Sequence, residues 1–314
     1  MEGAEATSTV LGIEEGEKLI FKLDSQILNA IDRCDTDYLY SHIMNFRPLM
    51  KAPALERGGC FHDMLKQYYT VRKEEPLRIT NDHALVVEEC LLIGRVFLSN
   101  SGMGLADFEE DARVFKEYVL RWQYDGWEII DIEKPFSRVI FDSDDPFTFA
   151  GKKYAGLTII YEGIVDLIIK DPKSGMAVVD HKTESRRSFP FELSNQFQGY
   201  EWAFNMPVIV NKVGYQTSLD PKEKFRRLVH NTGAPALREW RLDAIASVLR
   251  AINVWESHLA GRHIHRNRTS CDKYSGCIWQ RVCKVPEEVR EFKLQAYFYK
   301  DKPWDPYTRD TDES

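Results

Sequence analysis

Two neighbouring apolar runs, residues 162–169 and 176–182, carry charged side chains where a buried strand is normally apolar. The turn-forming sequence Asp-Pro-Lys-Ser-Gly at 171–175 separates them, so the two runs are predicted to pair as a β-hairpin. Asp166 lies within the first run, and Asp180 and Lys182 end the second. Because strand side chains alternate between the two faces, Asp180 and Lys182 are expected to share one face. The hairpin is therefore predicted to bring Asp166 close to both.

This group of charges indicates a metal-dependent site. Burying a charge is costly unless a partner or a metal compensates it. Two carboxylates and an ammonium can hold a divalent cation and position a water for phosphodiester hydrolysis. The alternative is a surface hairpin with incidental charges, but the apolar flanks and Gly163 beside Asp166 favour a site.

The hairpin resembles the signature of the PD-(D/E)xK nuclease superfamily, in its RecB-like exonuclease branch. Asp166 matches the first acidic residue, preceded here by Val165 instead of proline, and Asp180-His181-Lys182 matches the (D/E)xK triplet. The resemblance implies an α/β fold of the restriction-endonuclease-like type, with a central mixed β-sheet flanked by helices. It also implies that Asp166, Asp180 and Lys182 are catalytic, and that both carboxylates and the backbone carbonyl of His181 bind Mg²⁺ or Mn²⁺.

Three further sequence features fit the same branch. Gln196 and Tyr200 are similar to its Q-x-x-x-Y helix, which implies that they position DNA, and their spacing places them on one helix face. Gly58 and His62 resemble its G-x-x-x-H helix, which implies that His62 is a metal ligand; imidazole suits Mn²⁺ better than Mg²⁺. Glu133 resembles an acidic residue that precedes the hairpin, and it is the weakest of these matches.

Four cysteines form a separate group. Cys271, Cys277 and Cys283 follow one another at six-residue steps, and Cys34 lies far upstream. Four thiolates in a reducing compartment indicate a [4Fe–4S] cluster or a structural Zn²⁺. The pattern resembles the iron–sulfur subgroup of this branch, in which the cluster joins the two ends of the nuclease. Its spacing departs from the subgroup's usual C-x₂-C-x₅-C.

Charge is unevenly distributed along the 314 residues. The formal net charge is −7, yet residues 222–293 hold 15 Lys/Arg against 8 Asp/Glu, a local surplus of +7. A basic stripe of this kind can bind a phosphate backbone in an acidic protein, and the alternative is a solvated basic face. A Gly-rich phosphate loop ending in Gly-Lys-Ser/Thr is absent from the sequence, which excludes an ATP-driven helicase of that type.

The chain is expected to be organised around one domain. Residues 1–18 are predicted to be frayed, 19–299 to form a single nuclease domain, and 300–314 to form an extended tail. Within the domain, 19–125 is a predicted helical part and 235–299 a helical, cysteine-bearing part. Helices are predicted over 20–43, 55–69, 84–98 and 107–122. A long helix is predicted to begin at a cap on Asp243 and to end at about Ala260, where Gly261 is a natural terminator. The start of the sequence does not have the features of a secretory signal, and a cytoplasmic location is expected.

The combined patterns predict a divalent-metal-dependent DNA nuclease. It is expected to be an exonuclease that acts on single-stranded or end-containing DNA in repair, recombination or replication, with a helicase or another such protein as a partner. One alternative is a non-catalytic DNA-binding or scaffold protein that keeps an iron–sulfur nuclease fold. The other is a zinc-stabilised nucleic-acid-binding module.

Overall fold

A computed structural model describes residues 10–11, 17–184, 193–215, 220–272, 276–302 and 306 of the chain. The helices are α1 Ser25–Arg33, α2 Asp35–Tyr38, α3 Pro53–Glu74, α4 Pro76–Asn81, α5 His83–Asn100, α6 Leu105–Trp122, α7 Asn195–Phe204, α8 Pro221–Lys224, α9 Ala234–Leu259, α10 Gln280–Cys283 and α11 Glu287–Tyr297. The strands are β1 Val10–Leu11, β2 Lys18–Leu23, β3 Phe46–Pro48, β4 Glu128–Ser143, β5 Phe147–Phe149, β6 Lys152–Tyr154, β7 Gly156–Asp171, β8 Gly175–Glu184, β9 Val208–Gly214, β10 Phe225–His230 and β11 Phe298–Lys300.

The described chain divides into two compact units, each built from separate stretches of sequence. The first unit comprises residues 1–50, 135–163 and 233–314, and the second comprises 51–134 and 164–232. The expected single domain over 19–299 stays a prediction, as does the tail at 300–314, most of which lies outside the described residues.

The second unit is a mixed sheet covered by helices. From Leu167 onward β7 pairs antiparallel with β8, β8 pairs parallel with β9, and β9 pairs antiparallel with β10. Leu167, Ile169, Ala177 and Val179 join the side chains of α3, α5 and α6 in one buried apolar core on the first sheet face. Because side chains alternate, Asp180 and Lys182 lie on the opposite sheet face, where α7 contacts Asp180 through Gln196. The predicted α/β fold with a central mixed sheet flanked by helices is confirmed.

The first unit contains β1, β2 and the first part of β7, together with helices. In it β2 runs antiparallel to β1 and parallel to the first part of β7, from Lys18 opposite Gly156 to Leu23 opposite Tyr161. The long helix α9 packs here through Trp240, whose ring lies 5.3 Å from that of Tyr161.

Two predicted helices have the wrong bounds. Residues 18–23 form a strand, because Leu19, Phe21 and Leu23 are buried alternately and so follow the period of a strand. The long C-terminal helix begins at Ala234, nine residues before the predicted cap at Asp243, and Pro235 occupies its first turn, where proline is well tolerated. Its predicted end is correct, since α9 stops at Leu259 and Gly261 follows with φ 63°.

Among the helices of the described residues, none combines the length and the apolar character needed to cross a lipid bilayer.

One buried ion pair joins α3 to α6 in the second unit. Asp111 is fully buried, and its Oδ1 accepts hydrogen bonds from Arg57 Nε at 3.0 Å and Nη2 at 2.5 Å. Burial raises the pKa of Asp111 to about 6, although Arg57 opposes that shift. Arg57 also lies over the ring of Tyr215, 4.1 Å from its centroid. The guanidinium is therefore the main compensation for a charge inside the core.

Replacing Arg57→Met is expected to lower the free energy of unfolding by roughly 3 kcal/mol at pH 7.5, because Asp111 is left as an uncompensated buried charge. The loss should shrink at pH 5, where a carboxyl with a raised pKa is protonated and neutral. Urea unfolding at both pH values measures this. The control Arg113→Met removes an exposed i,i+4 pair with Glu117 and should change stability by less than about 0.5 kcal/mol. Equal losses for Arg57→Met at the two pH values would contradict the explanation.

Candidate active site

Strands β7 and β8 hold the two carboxylates where their ladder begins. The registered pairs run from Leu167 opposite Val179 to Asp171 opposite Gly175, and Asp166 and Asp180 come next along the two strands. Here Oδ2 of Asp166 accepts a hydrogen bond from the backbone N–H of His181 at 2.6 Å. The carboxylate of Asp166 is thus fixed against the backbone of the Asp-His-Lys segment.

Asp180 and Lys182 form an ion pair on the sheet face opposite the core. Lys182 Nζ lies 2.8 Å from Asp180 Oδ2, and the Asp180 side chain is only 2% exposed while that of Lys182 is 34% exposed. The two-residue spacing in a strand explains why both side chains lie on one face. A buried carboxylate is therefore linked to an ammonium that solvent or a ligand can still reach.

Helix α7 adds two polar groups to this pair. Gln196 Nε2 donates to Asp180 Oδ1 at 3.0 Å and lies 2.9 Å from the hydroxyl of Tyr200, one turn further along the helix. The Tyr200 hydroxyl donates to the carbonyl of Ile164 on β7 at 2.8 Å. The i,i+4 pair thus ties α7 to both carboxylate-bearing strands.

His62 on α3 contacts both the backbone of His181 and the side chain of Asp166. Its Nε2 lies 2.9 Å from the carbonyl oxygen of His181, and its Nδ1 lies 3.6 Å from Asp166 Oδ2. Since a carbonyl can only accept, Nε2 carries the proton in the neutral ring and Nδ1 presents a lone pair. A lone pair and a carboxylate oxygen that face one another form a place where a cation would be favoured.

The structure thus brings together His62, Asp166, Asp180, Lys182, Gln196 and Tyr200 within the second unit. A model of the PD-(D/E)XK nuclease superfamily matches residues 25–284, a range that covers most of the chain and includes these positions. The chain belongs to the PD-(D/E)XK nuclease superfamily. The mixed sheet flanked by helices is the restriction-endonuclease-like fold expected of a member.

Two solved structures are similar to this PD-(D/E)XK protein at low identity. One is the crystal structure of SSO0001, with 14% identity, a TM-score of 0.28, and coverage of 60% of this chain and 74% of that one. The other is the crystal structure of a putative exonuclease from Eubacterium rectale, with 13% identity, a TM-score of 0.44, and coverage of 86% and 92%. Comparison with curated proteins gives no match.

The donor set of the site fits a divalent cation, although the side chains do not close around one. Among the described residues, no three His, Cys, Asp or Glu side chains are gathered closely enough to hold an ion. Imidazole nitrogen with carboxylate and carbonyl oxygens is nevertheless a set that suits Mn²⁺ and, for the oxygens, Mg²⁺. Asp180 Oδ2 is also buried, with Lys182 Nζ 2.8 Å away, and a carboxylate oxygen has a second lone pair that a cation could use.

Charges within the PD-(D/E)XK site affect one another. Burial raises the pKa of Asp166, and the neighbouring Asp180 raises it further, while His62 and Lys182 oppose both effects. Burial alone would lower the pKa of Lys182, but Asp180 and Asp166 outweigh it and raise that pKa. Lys182 is therefore a protonated ammonium at neutral pH, and its charge offsets two close carboxylates.

Glu133 belongs to the second unit. It is half-buried on β4 with φ 48°, a left-handed conformation that is strained for a residue with a side chain. Bulges and strained residues in strands are frequent beside active sites. A role for Glu133 stays a prediction.

A buried polar chain behind the Asp-His-Lys segment was missed from the sequence. The ring of His181 stacks on Tyr69 at 5.5 Å, and its Nδ1 lies 2.7 Å from Asn211 Nδ2, which also reaches the hydroxyl of Tyr118 at 2.7 Å. Burial lowers the pKa of His181 well below its usual value, so the ring is neutral. The available signal was Asn211 itself, a polar residue in the apolar run 208–213, as Asp166 is in its own run.

Four cysteines of the first unit, Cys34, Cys271, Cys277 and Cys283, line one cavity of about 330 Å³. The backbone N–H of Cys277 donates to the carbonyl of Cys271 at 2.8 Å, which closes the loop between them. Burial raises the pKa of Cys283 to about 11 and also raises the pKa of Cys277. These thiols are therefore protonated unless a metal charge favours the thiolate. Cys60 and Cys90 are buried in the core of the second unit.

Replacing Asp166→Asn is expected to raise the thermal midpoint of the metal-free protein at pH 7.5. The amide oxygen can still accept from His181, while the buried charge is removed. Because the folded-state pKa of Asp166 is raised, its contribution to stability is fully present below about pH 4 and is lost as the pH rises through the folded value. The stabilisation by Asn should therefore vanish on acidification. Scanning calorimetry with EDTA between pH 4 and 8 measures it.

The control Asp171→Asn should show the opposite sign. Burial would raise the pKa of Asp171, but hydrogen bonds from Ser174, Lys173 and Trp127 outweigh it and lower that pKa. The Asp171 carboxylate thus stabilises the fold above about pH 4, and this contribution is lost as the pH falls. A loss of thermal midpoint in Asp166→Asn at pH 7.5 would be inconsistent with the charge balance described.

Proposed function

We propose that this PD-(D/E)XK protein is a divalent-metal-dependent deoxyribonuclease of the RecB-like exonuclease branch. The observation that carries the proposal is the ion pair of Asp180 and Lys182 beside Asp166, with Gln196 and Tyr200 hydrogen-bonded to the same strands. Hydrolysis of a phosphodiester needs a positioned water and positive charge near the phosphate. The arrangement contains groups for both tasks.

His62, Asp166, Asp180 and the carbonyl of His181 would hold Mg²⁺ or Mn²⁺. When bound, the cation would lower the pKa of a nearby water and offset the charge of the phosphate. His62 would bind the ion through Nδ1 while its Nε2 keeps the hydrogen bond to the carbonyl of His181. The N–H of His181 would keep the Asp166 carboxylate in place, so the backbone of one residue, His181, would support two ligands.

Lys182 would act on the reacting groups directly. Its ammonium, held by Asp180 at 2.8 Å, would hydrogen-bond the attacking water and offset the negative charge that grows on the phosphate. Gln196 and Tyr200 would position the scissile strand. The hydrogen bond from Gln196 to Asp180 would also hold that carboxylate, so the strand and the acid would be placed together.

The substrate is proposed to be single-stranded or end-containing DNA, cleaved as an exonuclease during repair, recombination or replication in the cytoplasm. The positive surplus of residues 222–293 supports a polyanionic partner. A helicase or another replication or recombination protein is the proposed protein partner.

Lys182→Met and Asp180→Asn are each expected to lower DNA cleavage by at least about 100-fold, because preorganised charge at the reacting phosphate is lost. Labelled linear, circular and single-stranded DNA with Mg²⁺, Mn²⁺ or EDTA provides the assay. Cleavage should require a cation, and intact circles should resist.

The matched control is Lys170→Met, which removes an exposed lysine of β7 paired with Glu128 and should leave cleavage unchanged. Circular dichroism verifies that each variant is folded. Full cleavage by both site variants would refute the catalytic assignment. DNA binding without cleavage by the wild type would favour the scaffold alternative.

We further propose that the four cysteines hold a [4Fe–4S] cluster rather than zinc. Thiolates on one Zn²⁺ lie about 2.3 Å from the ion, and hence within about 4 Å of one another. All four thiols line one cavity of about 330 Å³, a space that leaves room for a group larger than one ion and therefore favours a cluster. Burial raises the pKa of Cys283, and Arg266, which also lines the cavity, opposes that effect and would favour the thiolate.

Protein purified without oxygen is therefore expected to be brown and to contain about four irons and four sulfides per chain. Cys277→Ser should lose the colour and most of the iron. Cys90→Ala, outside the cavity, should keep both. A colourless protein with one zinc per chain would instead favour the zinc-stabilised module.

A further inference from the structure

A second charged cluster lies beside Lys182 on the same sheet face. Lys182 pairs in register with Lys212 on β9, and Lys212 pairs in register with Arg226 on β10. Partners in a ladder point to the same face, so three cations form a row across three strands. Glu184 follows Lys182 by two residues and also lies on this face.

Both oxygens of Glu184 form ion pairs with two cations of this row, Lys212 and Arg226. Lys212 Nζ lies 3.4 Å from Oε2, and Arg226 Nη2 lies 2.5 Å from Oε1. Lys212 is fully buried, and the side chains of Glu184 and Arg226 are 12% and 15% exposed. Charges so poorly hydrated are stable only when they are paired.

Lys182 therefore has a carboxylate on each side. Asp180 and Glu184 each stand two residues away along the strand, about 7 Å in either direction. Only the bond to Asp180 keeps the ammonium beside Asp166, because a bond to Glu184 would draw it toward the far end of β8. In the structure Lys182 is paired with Asp180 while Glu184 is engaged by the other two cations.

We propose that Lys212 and Arg226 are positioning residues, which by engaging Glu184 leave Asp180 as the carboxylate that binds Lys182. This inference rests on the proposed nuclease function for its kinetic consequence. Neither positioning residue needs to touch the substrate. Their effect is to keep a competing carboxylate from displacing the ammonium, since a misplacement of about 1 Å can cost 100-fold in rate.

Lys212→Met is expected to lower single-turnover DNA cleavage by at least about tenfold, because an oxygen of Glu184 becomes available to Lys182. The double variant Glu184→Gln with Lys212→Met removes the competitor and should return cleavage to within about threefold of the wild type. Arg226→Met, alone and with Glu184→Gln, should behave in the same way. This second series decides the matter if Lys212→Met does not fold.

Lys224→Met is the matched control. Lys224 is also a buried lysine of the second unit paired with a glutamate, Glu117, but it lies outside the row. Its loss should lower the thermal midpoint and leave cleavage at 25 °C unchanged. Because Glu184→Gln also removes the unpaired buried carboxylate that Lys212→Met leaves, the thermal midpoint should recover in the double variant for a structural role as well. The position of the Lys182 ammonium, measured directly, therefore separates positioning from a structural role.

A readout that does not depend on activity is the NMR signal of the Lys182 ε-methylene in protein with ¹³C-labelled lysine, assigned with Lys182→Arg. The signal should shift in Lys212→Met and return in the double variant. If the wild type cleaves no nucleic acid, the proposed function fails while this signal still tests the positioning. An unshifted signal in Lys212→Met, or a cleavage defect that Glu184→Gln does not rescue, would overturn the inference.

Discussion

The site depends on the way a nearly fully buried carboxylate, Asp180, is compensated. Removal of that charge from water is tolerable because Lys182 pairs with one oxygen and Gln196 donates to the other. One of these contacts comes from Lys182, two residues further along β8, and the other comes from Gln196 on α7. Both elements are therefore held next to Asp180. The packing of the helix and the chemistry of the strand are thus linked through one acidic side chain.

A second constraint is His181, whose backbone contacts site residues while its ring packs in the core. Its N–H donates to Asp166 and its carbonyl oxygen accepts from His62, while its side chain stacks on Tyr69 in the apolar core. A buried aromatic stack is rigid in a way that a solvated loop is not. The position of the two proposed ligands is therefore determined by core packing, and the residue between Asp180 and Lys182 is more than a spacer.

Most of the site could be predicted from the sequence because its side chains are brought together by two short repeats, every second residue in a strand and every fourth residue in a helix. The alternation that places Lys182 beside Asp180, and the helical step from Gln196 to Tyr200, are local rules that tertiary structure did not override. Residues 20–23 of the strand at 18–23 were predicted as helix because their apolar residues are also compatible with a longer helical pattern, and only pairing with β7 decides between the two. The row formed by Lys182, Lys212 and Arg226 depends on the register between three strands, which spacing along the chain does not reveal.

The cysteine cavity has a consequence for how the protein is made. It combines Cys34 with three cysteines between residues 271 and 283, so its last ligand leaves the ribosome only when most of the chain has already been synthesised. All of the residues of the second unit, by contrast, have been translated by residue 232. The second unit can thus bury its core during translation, while Cys34 belongs to a unit whose other three cavity cysteines have not yet been translated. Any cofactor that the four thiols hold can be bound by all of them only after residue 283, when every residue of the second unit is already present.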